Sequence, residues 1–142
     1  MIVAALCFRQ GPGGLQVLLV RTGDGRRWAF PQGSARPGEE APATALRALT
    51  AQSGWRGRTI SPSLLHWIAP AGLARFVALA VAPAGRAGTG EGGRVPSWFP
   101  LTDASEKLAE NRAGPAAARL VVILTEAAAL FRRQAEHAAA GA

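Results

Sequence analysis

The sequence predicts an α/β fold in which a mixed β-sheet is flanked by helices. Three observations carry that reading. Two β-rich runs near the start are joined by a Gly-Pro-Gly-Gly connection. A glycine-rich loop over 31–38 runs straight into a helical pattern. A second group of strand-like runs is then followed by a long apolar helix.

In chain order, residues 2–8 (IVAALCF) and 15–21 read as strands, with Gly11-Pro12-Gly13-Gly14 as a hairpin-like turn between them. Residues 22–27, which hold Asp24-Gly25, form a second turn, and 28–30 are a short extended piece before the loop. From 41 to 53 the apolar spacing is helical. Pro42 falls in the first turn, where a missing N–H is tolerated, and Gly54 follows where a helix end takes positive φ. Strands are expected at 58–60, 64–68, 73–81 and 95–99, with 83–93 as a glycine-rich loop. Thr102 or Asp103 suits the cap of a short helix reaching Leu108. Residues 115–137 form a longer helix in which Leu120, Ile123, Leu124, Ala127, Leu130 and Phe131 recur at i, i+3, i+4. Residues 138–142 are expected to fray. The order β-β-loop-α-β-β-β-α-α describes one domain over 1–142, without repeat or linker.

The 49% hydrophobic content suits a chain that buries a core, although much of it is alanine. No uninterrupted apolar run reaches the roughly 18 residues of a bilayer span, and no export-signal pattern leads the chain. The expectation is a soluble, cytoplasmic protein with no membrane partner. Cys7, the single cysteine, reads as a small buried side chain. The formal charge is +7, and Lys107 is the single lysine, so the basic residues are nearly all arginine. A guanidinium fork suits phosphate. Because the arginines are scattered, charge alone does not separate a polyanionic ligand from a compositional bias, and nothing singles out a nucleic-acid partner.

The specific signal lies in WAFPQGSARPGEEAPATALRALTAQSGW, from Trp28 to Trp55. Gly33 is followed by five residues and Glu39, then by seven and Arg47, then Gly54 and the apolar Trp55. This resembles the Nudix box, G-x5-E-x7-R-E-U-x-E-E-x-G-U with U apolar. Trp28-Ala29-Phe30-Pro31-Gln32-Gly33 and Pro37-Gly38-Glu39 are similar to the form found in polyphosphate-processing branches. The run from Ser97 to Ala104 resembles the strand-then-helix that follows the box. The resemblance implies a Nudix-type α/β/α sandwich.

Hydrolysis of a pyrophosphate linkage needs divalent cations to neutralise charge and place water. Magnesium takes hard oxygen ligands at about 2.0–2.1 Å. Carboxylates at i, i+3 and i+4 share one helical face and converge on such an ion. The family's three glutamates fall here on Ala48, Ala51 and Gln52. Two methyl groups and one neutral amide stand where the metal ligands belong, so no metal is expected at these positions. The resemblance gives Gly33, Glu39, Arg47 and Gly54 a structural part, with Glu39 and Arg47 bracing the loop against the helix.

Two functions follow from this. In the first, a Nudix domain with a degenerate box binds a nucleotide or other phosphorylated ligand and does little or no metal-dependent hydrolysis, with no cofactor. In the second, an active hydrolase of nucleoside-diphosphate-linked substrates recruits Mg²⁺ or Mn²⁺ through acids elsewhere, with Glu39, Glu40 and Glu91 as candidates. Arg26, Arg27 and Arg36 surround the loop and are the candidate phosphate contacts, though solvated loop arginines read the same way. Gly33, Gln52 and Trp28 complete the candidate ligand-binding residues, Trp28 being either core or the border of a base-stacking pocket. His66 alternates with apolar neighbours and reads as a packed or edge histidine rather than a base. Homodimers are common in the family, although no residue here marks an interface.

Overall fold

The computed structural model describes residues 1–68, 75–91 and 95–140. Strands β1 (Ile2–Gly11), β2 (Gly14–Arg21), β3 (Trp28–Ala29) and β4 (Gln32–Ser34) precede helix α1 (Ala41–Ser53). Strands β5 (Trp55–Ile68), β6 (Arg75–Arg86) and β7 (Ser97–Pro100) follow, then helices α2 (Leu101–Ala109) and α3 (Gly114–Ala140). The strands form one mixed sheet in the order β3-β2-β1-β6-β5, with β4 beside β1 and β7 beside β2.

The sheet is covered on both faces, and β1 shows why. Val3 to Phe8 are all buried, as expected of a strand with packing on each side. Val3, Ala5 and Cys7 join a cluster with Leu18, Leu79 and, from α1, Ala45 and Leu49. Ala4, Leu6 and Phe8 point the other way, into a cluster with Leu108 of α2 and Ile123, Leu124 and Ala127 of α3. A period of two thus feeds two cores from one strand. β1 runs parallel to β6, pairing Ile2 with Phe76 through to Cys7 with Val81. Cys7 is fully buried, and burial pushes its thiol pKa up to about 12, so it is an inert packing residue.

Several boundaries differ from the sequence expectation. The runs at 58–60 and 64–68 belong to one strand, β5, whose register against β6 shifts between Thr59 and Leu64. The irregularity at Ser61-Pro62-Ser63 reads in sequence as a break, because proline cannot donate to a ladder. β6 continues through Pro83 to Arg86, into the segment expected to be loop, because Trp55 to Arg58 pair with it. The loop 31–38 contains β4, whose Gly33 pairs with Val3. The final strand is Ser97–Pro100, and α2 begins at Leu101 with Pro100 at its N-cap and no side-chain cap bond. The expected cap at Thr102 or Asp103 is therefore corrected: both lie inside the first turn, because Pro100 ends the strand pairing with Gln16. α3 extends to Ala140, so the helix runs past the expected end at 137, while 141–142 and the expected strand start at 73–74 lie outside the described residues. So does the side chain of His66.

α3 also reaches a membrane-span composition that no unbroken apolar run suggests. Its residues Gly114–His137 include an 18-residue window of mean hydropathy 1.5, enough to cross a bilayer by length and composition alone. In the fold its stripe of Ala117, Ile123, Leu124, Ala127 and Ala128 is buried, against the sheet and α2.

Candidate functional site

The loop that carries the motif is held at three points. Its start is stitched to the sheet, where the Ala5 N–H donates to the Pro31 carbonyl at 2.8 Å. Its end is tied to α1 by Glu39 and Arg47. Arg47 donates from Nε to Glu39 Oε2 at 2.9 Å and from Nη2 to Oε1 at 2.7 Å, and Nη2 also reaches the Ser34 carbonyl at 2.9 Å. Glu39 further accepts from the Arg36 N–H at 3.1 Å and the Thr44 hydroxyl at 2.8 Å. The bidentate pair is the brace that the sequence resemblance implied. Arg47, with the Arg36 and Thr44 bonds behind it, holds the Glu39 carboxyl down from its ordinary 4.5 to about 2.

That shift makes an acid-stability prediction. A group whose folded pKa is depressed adds stability that is present above its ordinary pKa and is lost as pH falls through the folded value. Glu39→Gln is expected to melt below wild type at pH 7. The gap should narrow between pH 4.5 and about 2, where wild type loses its pair. Equal melting-temperature differences at pH 7 and pH 2.5 would refute the assignment.

The third tie is Gln52. The Gln32 N–H donates to Gln52 Oε1 at 3.0 Å, and Gln52 Nε2 donates back to the Gln32 carbonyl at 2.6 Å. Both ends of the amide are engaged by the backbone just before Gly33. Ala48 is buried at 3% exposure. Its methyl faces Gly33 so closely that a Cβ placed on that glycine would stand 3.4 Å away. Ala51 is half-buried one turn on, and Glu40 is exposed at the N-cap of α1. Glu91 is exposed three residues past Gly88, which is seated against Gly54. Among the described residues no three Asp, Glu, His or Cys side chains are grouped to share a metal ion.

On the opposite face of the sheet, a cavity of about 410 Å³ opens beside the same loop. Its apolar floor is Phe30, Phe76, Leu120 and Ile123, and its basic wall is Arg27, Arg112 and Arg119. Of the arginines expected at the site, only Arg27 lines it. Arg26 is exposed, and its carbonyl accepts from Asn111 Nδ2 at 2.7 Å. Arg36 is exposed on the loop. Trp28 does not line the cavity. It is buried, edge-on to Phe99 at 5.0 Å between ring centres, with the Arg21 guanidinium 4.3 Å above its face. Both ring contacts are internal, which is the packing alternative of the sequence reading.

Phe76, Arg112 and Arg119 are absent from the sequence expectation. Arg119 carries a readable signal, since it stands beside Leu120 and four residues before Ile123, at the edge of the helix's apolar stripe. Arg112 carries none. It enters the site because the turn between α2 and α3 is latched to the turn after β2. Asn111 takes φ 58, and its carbonyl accepts from Arg27 Nε at 3.0 Å.

A mixed sheet between helices, with a braced loop–helix on one face and a basic cavity on the other, defines an α/β/α sandwich. The family model of the NUDIX domain matches residues 1–120, and the chain belongs to that family. The Ap4A hydrolase of C. elegans, in a binary complex, superposes with a TM-score of 0.73 at 14% identity over 93% of this chain and 98% of the other. The same enzyme outside that complex gives 0.69 at 15% identity, over 92% and 96%. A NUDIX hydrolase from Nitrosomonas europaea gives 0.62 at 18% identity, over 92% and 88%. No curated protein matches the chain.

Proposed function

We propose that this chain binds a nucleotide or other phosphorylated ligand in the cavity walled by Arg27, Arg112 and Arg119, with little or no metal-dependent pyrophosphatase activity. The observation that carries the reading is the double hydrogen bond between Gln52 and the Gln32 backbone. The family's metal is Mg²⁺ or Mn²⁺, and the residues present do not fit it. Position 52 holds a neutral amide already satisfied by backbone, and position 48 holds a buried methyl against Gly33. A hard dication needs several charged oxygens at short range. Glu39, an acid of the motif itself, is committed to Arg47.

A second reading, hydrolysis of a dinucleoside polyphosphate-like substrate with metal ligands drawn from elsewhere, is favoured by the intact Glu39–Arg47 brace and the exposed carboxylates of Glu40 and Glu91. The two part on one assay. Purified protein is incubated with Mg²⁺ or Mn²⁺ and a panel of dinucleoside polyphosphates, NDP-sugars, NTPs and 5′-triphosphate RNA. The expected result is phosphate release no higher than the enzyme-free blank. Turnover that disappears in Glu40→Gln or Glu91→Gln overturns the first reading in favour of the second.

A further inference from the structure

Resting on the reading that the basic cavity is the ligand site, we infer that Gln32 reads the nucleobase of that ligand and that Gln52 is its positioning residue, acting from the other face of the sheet. Strand register puts the two halves of Gln32 on different sides. Residues directly opposite in an antiparallel pair share a face, and successive side chains alternate. Gln32 pairs with Ala4, and Gly33 with Val3. Val3 belongs to the core under α1, where the Ala48 methyl meets Gly33. Ala4 belongs to the core under α3, so the Gln32 side chain follows it to that face and lines the cavity. The Gln32 N–H and carbonyl are both bonded to Gln52 of α1, at 3.0 and 2.6 Å. One residue is therefore gripped by its backbone from one side of the sheet and presents its amide on the other.

The chemistry of the lining makes that amide the discriminating group. Arg27, Arg112 and Arg119 offer donors only, which suits phosphate and gives a base edge no acceptor. The Thr22 hydroxyl donates to Asp24 Oδ1 and accepts the Arg27 N–H, so it is spent. The Gln32 amide holds a donor and an acceptor side by side, and it has no partner among the described residues. A nucleobase edge presents the same alternation, an amine or ring N–H beside a ring nitrogen or keto oxygen. Phe30 and the half-buried Phe76 line the same cavity and give the ring an apolar surface. The volume of about 410 Å³ lies within the usual range of a small-molecule site. A clamp on the backbone matters because a glutamine side chain is flexible, and a loose peptide beneath it would add to the freedom lost on binding. An amide suits that clamp at both ends. A carboxylate at position 52 could accept from the Gln32 N–H but could not donate to its carbonyl.

The test separates base from phosphate with AMP, GMP and ribose 5-phosphate, titrated by calorimetry at low salt. Wild type is expected to bind AMP about 10- to 100-fold more tightly than ribose 5-phosphate. Gln32→Leu, at an exposed position, should remove most of that margin and leave ribose 5-phosphate within about threefold of wild type. Gln32→Glu keeps acceptors and loses donors. It should shift preference from AMP towards GMP, whose ring N–H and exocyclic amine both donate, by about tenfold. Gln52→Ala should weaken AMP by about tenfold at an unchanged ribose 5-phosphate affinity. A merely structural clamp would weaken both ligands alike, and that result overturns the assignment of Gln52. An AMP margin left intact by Gln32→Leu, or an AMP-to-GMP ratio unmoved by Gln32→Glu, overturns the assignment of Gln32. Wild-type AMP binding no tighter than ribose 5-phosphate overturns the inference while leaving the ligand site in place. No binding of either by wild type overturns the inference and the ligand-binding reading together.

Discussion

Gly54→Ala is expected to cost about 3 kcal/mol or more, the largest loss of stability from any one-methyl change in the loop–helix unit. Two effects add. Gly54 ends α1 at φ 76, ψ 2, with its N–H donating to the Thr50 carbonyl at 2.9 Å, and an L-residue is strained there by roughly 1 kcal/mol. The second effect is contact. A Cβ at Gly54 would stand 2.0 Å from the Gly88 carbonyl oxygen, which is backbone and cannot swing aside. The Gly54 carbonyl accepts from the Ala87 N–H at 2.7 Å and the Gly88 N–H at 3.2 Å, so the segment after β6 is sewn to the helix end. Chemical denaturation of Gly54→Ala beside Gly38→Ala gives a matched control. Gly38 has the same φ of 76 with no neighbour within 4 Å of its added Cβ. Equal losses in the two variants would show that the Gly88 contact contributes nothing.

Ala48→Glu, Ala51→Glu and Gln52→Glu together are expected to create uptake of Mn²⁺ or Mg²⁺ on the face of α1 that meets Gly33. Without metal the variant should be about 2–4 kcal/mol less stable. A carboxylate replaces the buried Ala48 methyl, like charges crowd one helical face, and an acceptor oxygen replaces the Gln52 Nε2 donor opposite the Gln32 carbonyl. Metal at a hundredfold over its Kd should then return about 2.7 kcal/mol, read as a melting temperature that climbs with Mn²⁺. Wild type should show no such climb. If calorimetry finds no metal uptake by the triple variant, positions 48, 51 and 52 do not converge near Gly33 and the mapping of the motif fails.

These two outcomes separate what was legible in the sequence from what was not. The spacing from Gly33 through Glu39 and Arg47 to Gly54 was legible because each residue answers a local demand: a charged brace, a helix end, a positive φ. The brace is present at 2.7–2.9 Å, and the turn takes φ 76. The apolar stripes of β1 and α3 were legible because burial on two faces or one writes its period into the chain. The role of Gln52 was not. An amide at a carboxylate position reads as a weakened ligand, and only the approach of the Gln32 backbone, twenty residues away, shows what it bonds.

By itself the sequence determined the α/β class, the loop–helix unit and the presence of Ala48, Ala51 and Gln52 on its helix. All of these depend on residues close together along the chain. The tertiary structure alone decided where the basic cavity lies. The cavity takes Arg27 from the turn after β2, Phe76 from β6, Arg112 from the α2–α3 turn and Arg119 from α3. No short-range spacing links those four residues. Packing of α3 across the sheet, and the Asn111 latch that draws two distant turns together, bring their charges to one wall.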